Sequence, residues 1–511
     1  MRENPPPKSD SVLAFSRNRA LSQAIAQRAH SVHDLADLAT EALIYFLVLF
    51  TPWAFGTTEP WSISVLNTSG YLLGALLLLK WLARRALALL GFAKDAHSIS
   101  TATVLLGWTT VFILAYCAIS AANARATYDA NQFKLEYHSC ISWLPHSYEK
   151  TSSWIAFWHY LALALIFWAV RGWLLNETPG EPVPAAPKRV QRLLWILSLN
   201  GAALSLECLL QRMDGTNKLL WLVEPQINKD STSQFGPYAY RANAAEYLNL
   251  LWPASLGLWW SLRRLSVRVG HFASVARPRA DGLLLCCAVL MAAGAIASLS
   301  RGGVLIAVGQ MGAVSAVLWI ATRARQRGLI AALAAGFIGL GGLAAYFDWE
   351  KLRGRFDSNP TNPLSGRTEI YEHALRMARD FGFLGSGPHT FGPLYGFYFS
   401  SPDQYWVAQV HNDWLETWIT FGALGMAFIL FALSLVFWRS VFARDGFETR
   451  WSFVALIWTG LLGCLIHAMF DFPLQVPSIL FLFLLLCAIT SVLKVRHGRS
   501  KGAPSPASIN R

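Results

Sequence analysis

Apolar stretches of about 20 residues recur along this chain, and nothing else in it constrains the fold so tightly. A helix rises about 1.5 Å per residue, so such a stretch crosses the roughly 30 Å hydrocarbon layer of a bilayer. Lipid offers no hydrogen bonds to backbone N–H and C=O groups, so uninterrupted apolar runs must cross it as helices. Twelve runs lie near 40–56, 62–82, 100–122, 153–174, 192–211, 243–262, 282–299, 303–321, 329–346, 412–437, 452–470 and 475–493. The seventh and eighth form one stretch too long for a single pass, interrupted only by Ser298-Leu299-Ser300-Arg301-Gly302-Gly303, where a tight hairpin is expected. The expected fold is an all-α polytopic membrane protein of about 12 transmembrane helices.

Of the 511 residues 54% are hydrophobic and only 14% charged, which removes the soluble globular class. The net charge of +13 raises the question of nucleic acid. A nucleic-acid surface gathers its Lys and Arg on one soluble face, whereas here they punctuate apolar runs, so no such partner is expected. With both termini set on the cytoplasmic side, the inner segments hold most of the 43 basic residues, as the inward bias of Lys and Arg requires. Six of the seven cysteines lie in apolar runs and only Cys140 in a polar loop, so neither a disulfide framework nor a zinc spacing follows. The N-terminal stretch is too polar for a signal peptide, and the first apolar run is expected to be retained. The expected order is an N-terminal tail (1–38), nine spans (39–346), a long outer loop (347–411), three spans (412–493) and a C-terminal tail (494–511). The first forty and last fifteen residues are expected to be mobile, and the Pro-rich stretch 177–187 to be an inner linker.

The unusual chemistry falls on the outer side. In the loop over 347–411, Ile370, Ala374, Met377 and Ala378 make one stripe at helical spacing, which predicts an amphipathic helix over 366–379 with Ser365 as its N-cap. Arg367 and Tyr371 belong to that helix, and Arg367 stands in its first turn. There it reads either as a solvated arginine or as a guanidinium added to the anion-binding end of a helix. Arg301 sits at the tip of the apolar hairpin, where a charge is costly unless it is paired or reaches the interface. It is an interfacial anchor or an anion clamp. His411 enters the tenth span with Asn412 and Glu416 behind it, and is a structural imidazole or a general base. Arg241 and Asn243 bring polar groups to the outer end of the sixth span. His467 and Asp471 stand four residues apart, on one helix face, as a hydrogen-bonded pair or half of a metal site. His389 is a second histidine in the long loop.

Taken in order, these residues resemble the O-antigen ligase and polymerase superfamily, bacterial membrane enzymes of lipid-linked glycan assembly. The resemblance rests on Asn243 and Pro253, on Ser298 to Gly303, on Gly366-Arg367 with Gly385-Ser386-Gly387, on His411 to Glu416 with Gly422 and Gly425, and on Asp471-Phe472-Pro473. It covers residues 235–490, while the first half matches only as a set of spans. It implies a C-type glycosyltransferase-like architecture with a long, partly helical periplasmic loop in the bacterial inner membrane. It also implies a metal-independent reaction without cofactor. The donor would be an undecaprenyl-diphosphate-linked glycan, its pyrophosphate held by Arg301 and Arg367. His411 would activate an acceptor hydroxyl on a glycan or a lipid A core. Arg241, Asn243, Tyr371, Asn412, Glu416, His467 and Asp471 would support them. The outer turn Gly56 to Trp61 holds no paired carboxylates, which weighs against a metal-dependent relative. His389 occupies a position the family pattern does not require. Ligase and polymerase share these motifs; a transporter would place its polar groups nearer the bilayer midplane.

Overall fold

The computed structural model describes residues 9–91, 100–176 apart from 130 and 133, 187–269, 278–322, 365–398, 407–442 and 447–495, with isolated positions between 327 and 339. Helix dominates, as the apolar runs dictate: α1 (Ser9–Trp53), α2 (Pro60–Leu89), α3 (Thr101–Ala122), α4 (Lys150–Leu175), α5 (Lys188–Asp214), α6 (Arg241–Val269), α7 (Pro278–Ala297) and α8 (Arg301–Ala321) come first. They are followed by α9 (Ser365–Asp380), α10 (Phe391–Tyr395), α11 (Asp413–Phe442), α12 (Trp451–His467) and α13 (Pro477–Val492). Every expected span except that near 329–346, most of which lies outside the described residues, coincides with one of them. Among the described residues seven helices are long and apolar enough to cross a membrane, and α7, α12 and α13 add shorter apolar segments. The chain is therefore a multi-pass membrane protein.

One expectation needs correction. The N-terminal stretch expected to be mobile is helical from Ser9 onward, and Ala26 and Ala36 are buried along it. Asp37 on α1 accepts from Lys80 on α2 at 3.2 Å, with both side chains almost fully covered. The segment between α3 and α4 adds a short strand pair to the helical fold. Ala126–Asp129 (β1) pairs antiparallel with Lys134–Tyr137 (β2), and the Asp129 carboxylate accepts from Asn131 N to turn the chain between them. Thr127, Tyr128 and Tyr137 suit an extended backbone. The Pro-rich linker and the last fifteen residues lie outside the described residues, the linker's Pro187 excepted.

The chain divides into two compact units. The first comprises Met1–Asn176, Leu364–Ile429 and Leu474–Ala488, and the second Glu177–Pro363, Leu430–Pro473 and Ile489–Arg511. In the first, α2 packs on α1 and α4, and α3 on α4. A separate core joins the loop helices to the start of α11: Ala374 and Met377 of α9, Phe391, Leu394 and Tyr395 of α10, Val410, and Ile419. The apolar stripe of α9 thus faces this core, as its spacing requires, and the helix begins at Ser365 itself.

In the second unit α6 is central, with α5, α7, α8 and α12 all packed against it. Its tryptophans Trp252, Trp259 and Trp260 are fully buried. Because helices cover it on all sides, α6 tolerates Glu246, Asn249 and Ser255, each buried. Asn249 donates to Gly303 O at 3.0 Å, and Ser255 shares a 2.7 Å hydrogen bond with Ser198 of α5. A short parallel pair, Phe447–Thr449 (β3) with Leu493–Val495 (β4), ties the start of α12 to the end of α13.

Candidate functional site

In the first unit the chain reaches His411 through a left-handed residue, φ 59°, just before α11. Three contacts hold it there. Tyr371 of α9 donates its hydroxyl to the His411 carbonyl at 2.9 Å. Asn412 caps α11 by accepting from Leu415 N at 3.0 Å. The buried Glu416 reaches back to accept from Val410 N at 2.9 Å. Glu416 is thus a positioning carboxylate for the backbone before the histidine and makes no use of a shared helix face. Asp413, also buried, accepts from Leu474 N at 2.8 Å and fixes the same helix end to the turn before α13.

Arg367 lies one turn before Tyr371, on the same side of α9 and half-buried. The unit therefore brings Arg367, Tyr371, His411, Asn412 and Glu416 together. What sequence reasoning missed is the joint beneath them. Helix α11 is broken at Gly422 (φ 62°, ψ −175°), and the Gly385 to Gly387 turn seats in the break. Ser386 N donates to Ile419 O at 2.8 Å and Gly387 N to Thr420 O at 3.0 Å. A Cβ on Gly385 would stand 2.3 Å from Thr420 O, and one on Gly422 2.3 Å from Phe383 O, so only glycine fits on either side. The segment between α3 and α4 and the start of α4 join here too: Tyr148 N donates to Ser386 O and Ser153 Oγ to Pro388 O. His389 follows this turn with φ 62°, open to solvent yet flanked on most sides by protein, and the loss of hydration pushes its imidazole below the ordinary range. Buried His373 of α9 shares a 3.2 Å hydrogen bond with the Tyr395 hydroxyl, a contact the stripe pattern gave no sign of.

The second unit gathers the remaining residues at one end. The hairpin expected at Ser298 to Gly303 is present, and Ser300 caps α8 by accepting from Gly303 N at 3.2 Å. Gly302 lies against His467 and Gly303 against Ala245, so the starts of α6 and α8 meet the end of α12. A Cβ at those two glycines would come within 2.6 Å of His467 Nε2 and 2.5 Å of Ala245 Cβ. Arg301 begins α8 beside this junction, and Asn243 is buried in the first turn of α6. Arg241 donates to Thr232 O, which holds the preceding loop to the same end.

His467 and Asp471 stand at ion-pair rather than hydrogen-bond separation. The Nε2 to Oδ2 separation is 3.9 Å, because α12 ends at His467 and Asp471 lies in the turn beyond. The close partner is Glu246 of α6, 2.6 Å from Nδ1, and both side chains are almost fully buried. Glu246 is the functional candidate that the sequence reading passed over. Its signal was an acid about one turn inside an apolar run, where a charge needs a partner. Asp471 instead accepts from the Tyr240 hydroxyl at 3.1 Å, while the Tyr240 and Phe472 rings stack in parallel, 5.4 Å apart.

Each unit by itself offers a guanidinium at a helix start that can capture an anion, and in the second the Glu246 carboxylate holds the His467 imidazole in a fixed orientation. A comparison with curated proteins returns no match. Residues 286–430 match a family model described as O-antigen ligase. The match runs from within α7 to within α11 and includes Arg301, Arg367, Tyr371, His411, Asn412 and Glu416, while Arg241, Asn243, His467 and Asp471 fall outside it. Over these residues the chain is similar to the O-antigen ligase family, which supports the resemblance to the glycan ligase and polymerase type drawn from its motifs.

Proposed function

We propose that this protein transfers a glycan from an undecaprenyl-diphosphate donor to an acceptor hydroxyl, on the periplasmic side of the bacterial inner membrane. The observation that carries the reading is His411, fixed at the start of α11 by Tyr371, Asn412 and Glu416 with Arg367 on the Tyr371 side of α9. In this mechanism the His411 imidazole takes the proton of the acceptor hydroxyl. The freed oxygen attacks the anomeric carbon, the bond from that carbon to the diphosphate oxygen breaks, and the lipid diphosphate leaves with the electron pair. Its developing negative charge needs preorganised positive groups. Arg367 supplies one guanidinium, and Arg301, in the second unit, keeps the donor-binding role that the family resemblance gives it. Sidedness rests on the inward bias of Lys and Arg. The acceptor is a glycan or a lipid A core.

The test is reconstitution of the full chain with a lipid-diphosphate-linked glycan and candidate acceptors, following release of undecaprenyl diphosphate. Wild type should release it only when an acceptor is present. His411→Ala should lower turnover by roughly 10²–10⁴-fold, the usual contribution of a positioned base. Arg301→Ala and Arg367→Ala should reduce donor use while the fold is retained. Ordinary turnover in a folded His411→Ala protein would remove the base assignment. A single transfer marks a ligase, and a product extended by repeats marks a polymerase.

A further inference from the structure

The loop between α5 and α6 encloses a cavity of about 10 Å³ that no step of the proposed reaction uses. Gln211, in the last turn of α5, and Gln234, in the loop, line it, and both are buried, at 4% and 2% exposure. Their amide nitrogens are committed elsewhere. Gln211 Nε2 donates to Lys218 O at 2.7 Å, and Gln234 Nε2 donates to Asn217 O at 3.1 Å and Asn228 O at 2.8 Å. Carbonyls only accept, so these bonds fix which end of each amide is nitrogen and leave the two Oε1 atoms as acceptors. Neither Oε1 has a hydrogen-bond partner among the described residues. A buried acceptor without a donor is costly, and two such acceptors on residues lining one small cavity mark a place suited to something that donates.

The rest of the wall limits what that is. Arg212 lies in it, stacked 5.1 Å over the Phe235 ring, and donates to Gln234 O at 3.0 Å and Ser298 O at 3.3 Å. The wall thus holds two neutral acceptors and, with the Glu207 carboxyl group against Gly236, acidic and basic groups together. A neutral hydroxyl suits both, since it donates to the amide oxygens, and the volume admits one oxygen-sized group. The bond to Ser298 O also puts the cavity at the end of the second unit that carries Arg301, three residues further on.

We propose that Gln211 and Gln234 form a subsite for a sugar hydroxyl of the donor glycan, beside the arginine that holds its diphosphate. The subsite rests on the donor reading above and adds to it the recognition of the sugar as distinct from the lipid diphosphate.

The test compares undecaprenyl diphosphate alone with the cell's own undecaprenyl-diphosphate-linked glycan, both titrated against the purified full chain in nanodiscs. Deuterium exchange over residues 211–236 is followed alongside affinity. The expected result is added protection of this segment by the glycan-bearing lipid only. Gln211→Met and Gln234→Met should each weaken that lipid by about tenfold, the worth of one hydrogen bond, with undecaprenyl diphosphate unaffected. Where a Met variant unfolds at lower temperature, the protection pattern of wild type decides. Equal protection by the two lipids, or Met variants that bind the glycan-bearing lipid normally, would overturn the subsite and leave the donor reading standing. Failure to bind either lipid would overturn both.

Discussion

His389 illustrates how one residue can report on its surroundings. Its imidazole is held below the ordinary value of 6.5 by loss of hydration, so the folded chain refuses a proton that the unfolded chain accepts. Between the lowered value and 6.5 the unfolded state therefore binds more protons, and stability falls as pH falls through that window. Thermal unfolding midpoints should drop on acidification below about 6.5, and His389→Asn should flatten that slope. Asparagine is chosen because it tolerates the left-handed φ of 62°. An unchanged slope would assign the acid sensitivity to other groups. At this scale the sequence showed which residues were unusual but not which would meet. His411, Arg301 and Arg367 stood out by charge and position. Glu246 and His467, 221 positions apart, could be joined only by the packing of α12 on α6.

At the scale of elements, apolar length did most of the work. Runs of the right length became helices, and the stripe of Ile370, Ala374 and Met377 gave α9 and its buried face. Short elements held by local hydrogen bonds, such as the β1–β2 hairpin, carry no comparable pattern. The break in α11 was equally hidden, because a glycine within an apolar run looks the same whether it sits in a straight helix or a kinked one. It matters because the Gly385 turn and Gly422 approach backbone to backbone. Gly422→Ala would put a methyl group against Phe383 O and force an L-residue to φ 62°. Left-handed strain alone costs about 1–3 kcal/mol, and the contact adds to it. A fall in the unfolding midpoint of the purified protein should follow, with loss of transfer activity if the joint positions α11 under His411. A variant as stable as wild type would show that the turn can move aside.

At the scale of the whole chain, the pair Asp37–Lys80 shows how a membrane protein carries charge inside its covered surfaces. Removing one partner takes this ion pair from the buried other, at a cost of up to about 3–5 kcal/mol. Lys80→Met should therefore lower the unfolding midpoint sharply, and Asp37→Asn with Lys80→Met should recover most of it; equal losses in the single and double variants would refute the coupling. The same bond bears on biogenesis. Asp37 belongs to a helix made before the one that carries Lys80, and each alone is poorly received by lipid. The charge on α1 is neutralised only once α2 has been made, so the two helices should be released into the bilayer together, as a preassembled hairpin, with synthesis of Lys80 as the step that permits it.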